Sequence, residues 1–149
     1  MQGAMKKNIS IIIAEDDEGH ALLIKRNLAR SGVLNPILHF RDGEEVLDFF
    51  TNENSDFRKQ PDMGYVLLLD IKMPRIDGIE VLEKMKNDPE LQNIPIIMIT
   101  TTDTPREIEM CHSLGCNSYI VKPINYEKFM DVVRKLGYFL DIVQVPKAE

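Results

Sequence analysis

The sequence predicts an α/β fold in which a parallel β-sheet is covered by helices. Five short apolar segments punctuate the 149-residue chain, and stretches with helical patterning and recognisable capping residues lie between them. Strands that alternate with helices favour parallel pairing through right-handed crossover connections. The five predicted strands are Ile9–Ala14, Pro36–Phe40, Tyr65–Leu69, Pro95–Ile99 and Ser118–Val121.

Three of these segments contain continuous apolar runs, at residues 11–13, 66–69 and 96–99. Such runs are typical of strands whose two faces are both buried, as in a parallel sheet. An amphipathic strand with one solvated face would alternate apolar and polar residues instead. The runs therefore predict a sheet with helices on both faces.

The predicted helices begin at capping residues that are followed three positions later by glutamate, which is the pattern of a capping box. These N-caps are Asp42, Asp77 and Thr104. Pro105 would take a first helical position, where its missing N–H costs nothing. Gly32 and Gly115 lie where helix C-caps are expected. Apolar residues at helical spacing predict a last helix over 126–140, and the polar stretch 51–62 predicts a surface loop.

Composition excludes several classes of protein. The hydrophobic fraction is 44%, enough for a core, and the formal net charge is −6, which argues against nucleic-acid binding. No apolar run approaches the ~20 residues of a membrane helix, and no secretory signal opens the chain. Cys111 and Cys116 have a poor spacing for a disulfide, so a reducing, cytoplasmic compartment is expected.

The length predicts one domain. Residues 1–5 are interpreted as a tag remnant or irregular start, residues 6–140 as the domain, and residues 141–149 as a C-terminal extension. The extension is too short for a DNA-binding or enzymatic module, so we expect output through a partner, a change of dimer or relay to another protein.

Polar side chains follow four of the predicted strands. Glu15 and Asp16 follow the first strand, Asp70 the third, Thr100 the fourth and Lys122 the fifth. In an open parallel sheet, ligands bind at the carboxyl ends of the strands. These residues are therefore predicted to converge on one site.

The residue types point to phosphoryl chemistry. Clustered carboxylates repel one another unless a cation compensates, and a lysine and a hard divalent ion such as Mg²⁺ can both do so. An aspartate that accepts a phosphoryl group forms an acyl phosphate, with a metal, a lysine and a hydroxyl on the phosphoryl oxygens. Helix capping is the competing interpretation of each acid by itself, and Asp17 is interpreted as a cap only.

Four stretches, at residues 11–17, 67–78, 96–101 and 119–123, carry a resemblance to a known family. Over residues 7–140 the chain resembles the response-regulator receiver domain of two-component signalling. The resemblance implies a flavodoxin-like, doubly wound sheet of five parallel strands in the order 2-1-3-4-5. It also implies a phosphoacceptor signalling protein rather than an enzyme.

The resemblance assigns the acidic residues. Asp70 is implied to be the phosphoacceptor and a metal ligand. Asp16 and Glu15 are implied to hold Mg²⁺ (or Mn²⁺), with Asp16 the more direct ligand, and Glu15 stands where the family usually has aspartate. The backbone carbonyl of Lys72 is implied to complete the protein ligands.

The resemblance also assigns the residues that follow the fourth strand and flank the fifth. Thr100 is implied to be the switch hydroxyl and Lys122 the phosphate-binding lysine. Tyr119 takes the place of the family's rotating aromatic switch. The peptide bond before Pro123 is implied to be cis.

A narrower resemblance lies in residues 15–20, the long polar loop, residues 100–109 and the ending 136–146. These stretches are similar to single-domain regulators that are paired with bacterial phytochrome histidine kinases. A light-sensing histidine kinase is thereby implied as the phosphoryl donor. The last helix and tail are expected to form a homodimer contact, because the end of the chain is richer in apolar residues than a single helical stripe requires. The apolar residues of this end are Phe139, Leu140, Ile142, Val143 and Val145.

Two other functions compete with this interpretation. A small-molecule phosphatase with an aspartate nucleophile typically has a second aspartate two residues later, where this chain has Lys72. A receiver-like interaction module that never accepts phosphate would be expected to lose one of Asp70, Thr100 and Lys122. His20 is interpreted as a surface or packing residue, and His39 has no partner at metal-ligand spacing.

Overall fold

In the computed structural model, five strands and five helices alternate along the chain. Residues 9–52, 59–60 and 62–140 are described, with side chains through Lys135. The strands are β1 (Ile9–Ala14), β2 (Ile37–Phe40), β3 (Gly64–Leu69), β4 (Ile96–Thr100) and β5 (Ser118–Val121). The helices are α1 (Glu18–Arg30), α2 (Gly43–Thr51), α3 (Gly78–Lys86), α4 (Pro105–Leu114) and α5 (Tyr126–Leu140).

The strands form one parallel sheet in the order β2-β1-β3-β4-β5. This confirms the predicted fold class and strand order. The three continuous apolar runs are the three inner strands, which are almost entirely buried. The backbone groups of each inner strand form hydrogen bonds with a neighbouring strand on either side, and helices cover both faces of the strand. Because neither face meets solvent, these strands do not alternate apolar and polar residues.

Side chains that alternate along the inner strands build two separate cores. Ile12, Leu67 and Met98 lie in the core beneath α2, α3 and α4. Ile13 and Leu68 point to the opposite face and pack with residues of α1 and α5. The sheet is therefore covered on both of its faces.

Capping residues begin the helices as predicted. Asp42, Asp77 and Thr104 each accept a hydrogen bond from the backbone N–H three residues on, and Pro105 is the first residue of α4. Gly115 is the C-cap of α4 in a left-handed conformation, with φ of 109°. Gly32, the other glycine predicted at a helix C-cap, lies one residue beyond Ser31, which is the C-cap of α1.

The predicted polar loop is described in part, and the predicted C-terminal extension lies outside the described residues. Helix α2 runs through Thr51, one residue into the predicted loop, where the Thr51 hydroxyl donates a 2.6 Å hydrogen bond to the carbonyl of Leu47. Residues 53–58 and 61, and the terminal stretches 1–8 and 141–149, lie outside the described residues. Among the helices that are described, none has the length and apolarity to cross a membrane.

Candidate functional site

Backbone hydrogen bonds bring the carboxyl ends of the strands together. The amide of Asp70 donates to the carbonyl of Ala14 at 3.0 Å, and the amide of Lys122 donates to the carbonyl of Thr100 at 2.8 Å. Glu15 directly follows Ala14 at the end of β1. The residues that follow β1, β3 and β5 therefore project from one edge of the sheet, as the sequence predicted.

Three carboxylates meet at this edge. Glu15, Asp16 and Asp70 each offer an oxygen, and these oxygens all lie within 4.8 Å of one another. Glu15 and Asp70 are buried, while Asp16 is exposed at the mouth of the cluster. Burial raises the pKa of Glu15 to about 7, and the negative charge of Asp70 adds to this, against the hydrogen bond from Lys122.

The donor set fits a hard divalent cation. Mg²⁺ and Mn²⁺ favour carboxylate oxygens, and they are bound through a few of these together with carbonyl groups and water. Asp70 Oδ1 is buried and has no hydrogen-bond partner among the described residues. A buried acceptor without a donor is costly, so this oxygen is ready to bind a cation or to react.

Lys122 provides the positive charge of the site. Its Nζ lies 2.5 Å from Glu15 Oε1 and 3.3 Å from Asp70 Oδ2, and the side chain is only 5% exposed. The peptide bond between Lys122 and Pro123 is cis. The buried ammonium holds one oxygen of Asp70 and leaves the other without a partner.

His20 lies in the same cluster, which the interpretation as a surface or packing residue did not anticipate. Its Nδ1 is 2.9 Å from Lys122 Nζ and 3.9 Å from Glu15 Oε2. The Oδ1 atom of Asp17 caps α1 and accepts a hydrogen bond from the His20 amide, so the first turn of α1 brings the ring back over the end of β1. The His20 side chain is 41% exposed, in keeping with a surface residue, but sequence reasoning missed its contact with Lys122.

A second histidine supports the acidic cluster from β2. His39 Nε2 lies 2.7 Å from the backbone carbonyl of Glu15. A carbonyl oxygen only accepts, so this nitrogen carries the ring proton. The contact fixes the backbone of Glu15 without using its carboxylate.

The residues assigned to the switch form a chain of hydrogen bonds beside the cluster. Thr100 is fully buried, and its Oγ1 accepts from the amide of Thr102 at 3.3 Å. Tyr119 Oη donates to the carbonyl of Thr102 at 2.7 Å, and burial raises the pKa of Tyr119 to about 12. Thr102 therefore links the two predicted switch residues, which no sequence motif indicated.

Two predicted roles are not expressed as contacts in the structure. The hydrogen bonds of the described residues do not join the Thr100 hydroxyl to Asp70 or Lys122. Lys72 lies two residues after Asp70 in the connection to α3, with an exposed side chain. The roles of the Thr100 hydroxyl and the Lys72 carbonyl remain predictions.

A close approach of two backbone segments holds Asp70 in place. The Gly78 amide, at the first residue of α3, donates a 2.7 Å hydrogen bond to the carbonyl of Ile71. A Cβ atom on Gly78 would lie 2.0 Å from the carbonyl oxygen of Asp70. Only glycine lets α3 begin this close to the end of β3.

Known proteins share this architecture. The response regulator receiver domain of Rhodospirillum rubrum is 41% identical, with a TM-score of 0.74 over 94% of this chain and 99% of its own. The bacteriophytochrome response regulator RtBRR is 32% identical, with a TM-score of 0.77 over 93% of this chain and 83% of its own. The Mn²⁺-bound form of response regulator Rcp1, a protein of Synechocystis, is 26% identical, with a TM-score of 0.72 over 93% of this chain and 99% of its own.

The family model of the response regulator receiver domain matches residues 11–134. The match includes every strand end that contributes to the acidic cluster, from Glu15 to Lys122. The sheet order and the relatives agree with it. The chain therefore belongs to the response regulator receiver domain family of two-component signalling.

Proposed function

We propose that this protein is a response regulator that accepts a phosphoryl group on Asp70 from the phosphohistidine of a sensor histidine kinase. The observation that carries the proposal is the environment of Asp70. Its Oδ2 lies 3.3 Å from the Lys122 ammonium, and its Oδ1 has no hydrogen-bond partner among the described residues. A carboxylate with one oxygen held and the other unpartnered is oriented to act as a nucleophile.

The transfer exchanges one bond for another. A carboxylate oxygen of Asp70 attacks the phosphorus, an O–P bond forms, and the P–N bond to the kinase imidazole breaks. The imidazole nitrogen leaves with the electron pair and takes up a proton. Lys122 pairs with a phosphoryl oxygen and Thr100 donates to another, so that the chain's contribution is positioning and charge compensation.

Glu15, Asp16, Asp70 and the Lys72 carbonyl would hold Mg²⁺ (or Mn²⁺). When bound, the cation offsets the negative charge of the phosphoryl oxygens and the carboxylates. The convergence of three carboxylate oxygens within 4.8 Å supports this assignment, as does the Mn²⁺-bound form of the relative Rcp1.

The signal that phosphorylation produces is a change in the protein-interaction surface. Phosphorylation draws the Thr100 hydroxyl toward the phosphoryl group, and Tyr119 turns inward into the space that Thr100 leaves. The hydrogen bond from Tyr119 to the Thr102 carbonyl supports this coupling, because Thr102 also contacts Thr100. The face formed by α4, β5 and α5 then shifts its population between two conformations.

The phosphoryl donor that we propose is a phytochrome histidine kinase. The similarity to the bacteriophytochrome response regulator RtBRR, at 32% identity over 93% of this chain, supports this choice. The lack of a nucleic-acid role is proposed from the net charge of −6. We also propose that the protein acts in the cytoplasm, where such kinases deliver their phosphoryl groups.

The first prediction is that incubation with acetyl phosphate and Mg²⁺ adds a phosphate-sized mass to the protein. The Asp70→Asn variant should gain nothing, because an amide oxygen is a far weaker nucleophile than a carboxylate oxygen. Intact-protein mass spectrometry measures both. A wild type that gains no mass with acetyl phosphate or with a phosphorylated phytochrome kinase would favour the alternative of a receiver-like interaction module.

The second prediction concerns the homodimer that we propose through α5 and the tail. The double variant Ile142→Asp and Val143→Asp should elute as a monomer in sizing with light scattering, since two charges in an apolar contact are costly. Gln144→Asp, at the polar residue that directly follows them in the sequence, is the control and should remain dimeric. A dimer that survives both the double variant and deletion of residues 138–149 would contradict the contact.

A further inference from the structure

The Lys122 ammonium has three close partners, and the function proposed above gives a role to only two of them, Glu15 and Asp70. An ammonium has three N–H donors and no acceptor. Glu15 Oε1 and Asp70 Oδ2 account for two of the donors, and His20 Nδ1 at 2.9 Å accounts for the third. Because an ammonium only donates, His20 Nδ1 is the acceptor and the ring proton lies on Nε2.

The geometry points to His20 as a positioning residue for phosphoryl transfer, an inference that rests on the function proposed above. A lysine side chain has a flexible four-carbon stem with freely rotating donors, so its direction is set by its partners. By accepting the third N–H, His20 limits the rotation of the ammonium and keeps another N–H directed at Asp70. His20 thus acts on Asp70 through Lys122.

The placement of the ring supports this role. Lys122 is 5% exposed, whereas the His20 side chain is 41% exposed, so the imidazole lies between the ammonium and solvent. The Asp17 cap fixes the backbone of His20 with a 3.0 Å hydrogen bond to its amide. Removing the imidazole would therefore let water replace the third partner of Lys122, and the direction of the ammonium would be less restricted.

Two substitutions separate the hydrogen bond from packing. His20→Asn places an amide oxygen near the position of Nδ1 and retains an acceptor. His20→Leu fills similar space without one. We expect His20→Leu to lower the rate constant of phosphorylation by acetyl phosphate about tenfold, and His20→Asn to stay within about threefold of wild type. Urea unfolding of both variants measures any general effect on folding.

A second measurement does not depend on phosphorylation. In protein labelled with ¹⁵N-lysine, a buried and hydrogen-bonded ammonium exchanges its protons slowly and gives a ¹H–¹⁵N signal, which Lys122→Met identifies. His20→Leu should weaken or abolish this signal, and His20→Asn should retain it.

The outcomes distinguish the two proposals. A Lys122 signal that His20→Leu leaves unchanged overturns the contact. If His20→Leu changes the Lys122 signal but leaves the rate constant of phosphorylation unchanged, the positioning role is overturned. It is also overturned if His20→Leu and His20→Asn slow phosphorylation equally. If the wild-type protein is never phosphorylated, the proposed function is wrong, and so is the role of His20 in transfer that rests on it. The ammonium signal then still decides whether His20 holds Lys122.

Discussion

Gly78→Ala is expected to destabilise the fold by more than about 3 kcal/mol. The added Cβ would lie 2.0 Å from the Asp70 carbonyl oxygen and 2.8 Å from Ile71 Cα. Both are backbone atoms at the end of β3, so they cannot rotate away as a side chain would. Either α3 or the end of β3 must move, and the hydrogen bond between the Gly78 amide and the Ile71 carbonyl would be lost with it. Urea unfolding followed by circular dichroism measures the loss.

Gly19→Ala is the matched control for this prediction. Gly19 also lies in the first turn of a helix, but its Cβ would meet only the side-chain oxygen of Asp17, at 3.3 Å. Alanine is favoured over glycine within helices by up to about 1 kcal/mol, so Gly19→Ala should be near neutral or slightly stabilising. Equal stability of the two variants would show that α3 does not approach β3 as closely as the structure has it.

The fold was predictable because local and global signals agree. The apolar runs that became the inner strands β1, β3 and β4 were continuous in the sequence, and burial on both faces explains why. The helix starts at Asp42, Asp77 and Thr104 were readable because capping needs only a side chain three residues before an amide. Such short-range chemistry leaves its pattern in the order of the residues.

Parts of the site were not predictable because they depend on contacts across the fold. His20 and Lys122 are more than one hundred residues apart, and only the folded sheet brings the first turn of α1 close to the residue that follows β5. The contact between Tyr119 and the Thr102 carbonyl leaves no motif either, because any residue provides a carbonyl. Side-chain types indicated which residues form the site, but their partners required the structure.

Lys122→Met is expected to cost about 3 kcal/mol of unfolding free energy at about pH 8. The side chains of Lys122 and Glu15 are 5% and 1% exposed, and their charged atoms are 2.5 Å apart. Methionine is unbranched and of similar length, so the variant removes the charge with little change of shape. Two buried carboxylates, Glu15 and Asp70, would then share a site without their cation. Lys128→Met, on the exposed side of α5, should change stability by less than about 0.5 kcal/mol.

The pH dependence of this loss identifies its origin. Burial already raises the pKa of Glu15 from 4.5 to about 7, against the hydrogen bond from Lys122, and the variant removes that opposing contact. A carboxyl whose pKa is higher in the folded than in the unfolded state binds more protons when folded, so stability falls as pH rises between the two values. Lys122→Met should therefore be closer to wild type at about pH 5 than at about pH 8.

Adding Glu15→Gln to Lys122→Met should recover part of the loss, because the glutamine is neutral at every pH in this range. It should also flatten the pH dependence, since Glu15 no longer titrates. Breaking a buried pair costs more than the pair contributes, because the remaining charge is left unpaired. If the single and double variants instead lose the same free energy with the same pH dependence, the unpaired charge of Glu15 is not the source. The loss would then come from Asp70 or from packing around the lysine stem.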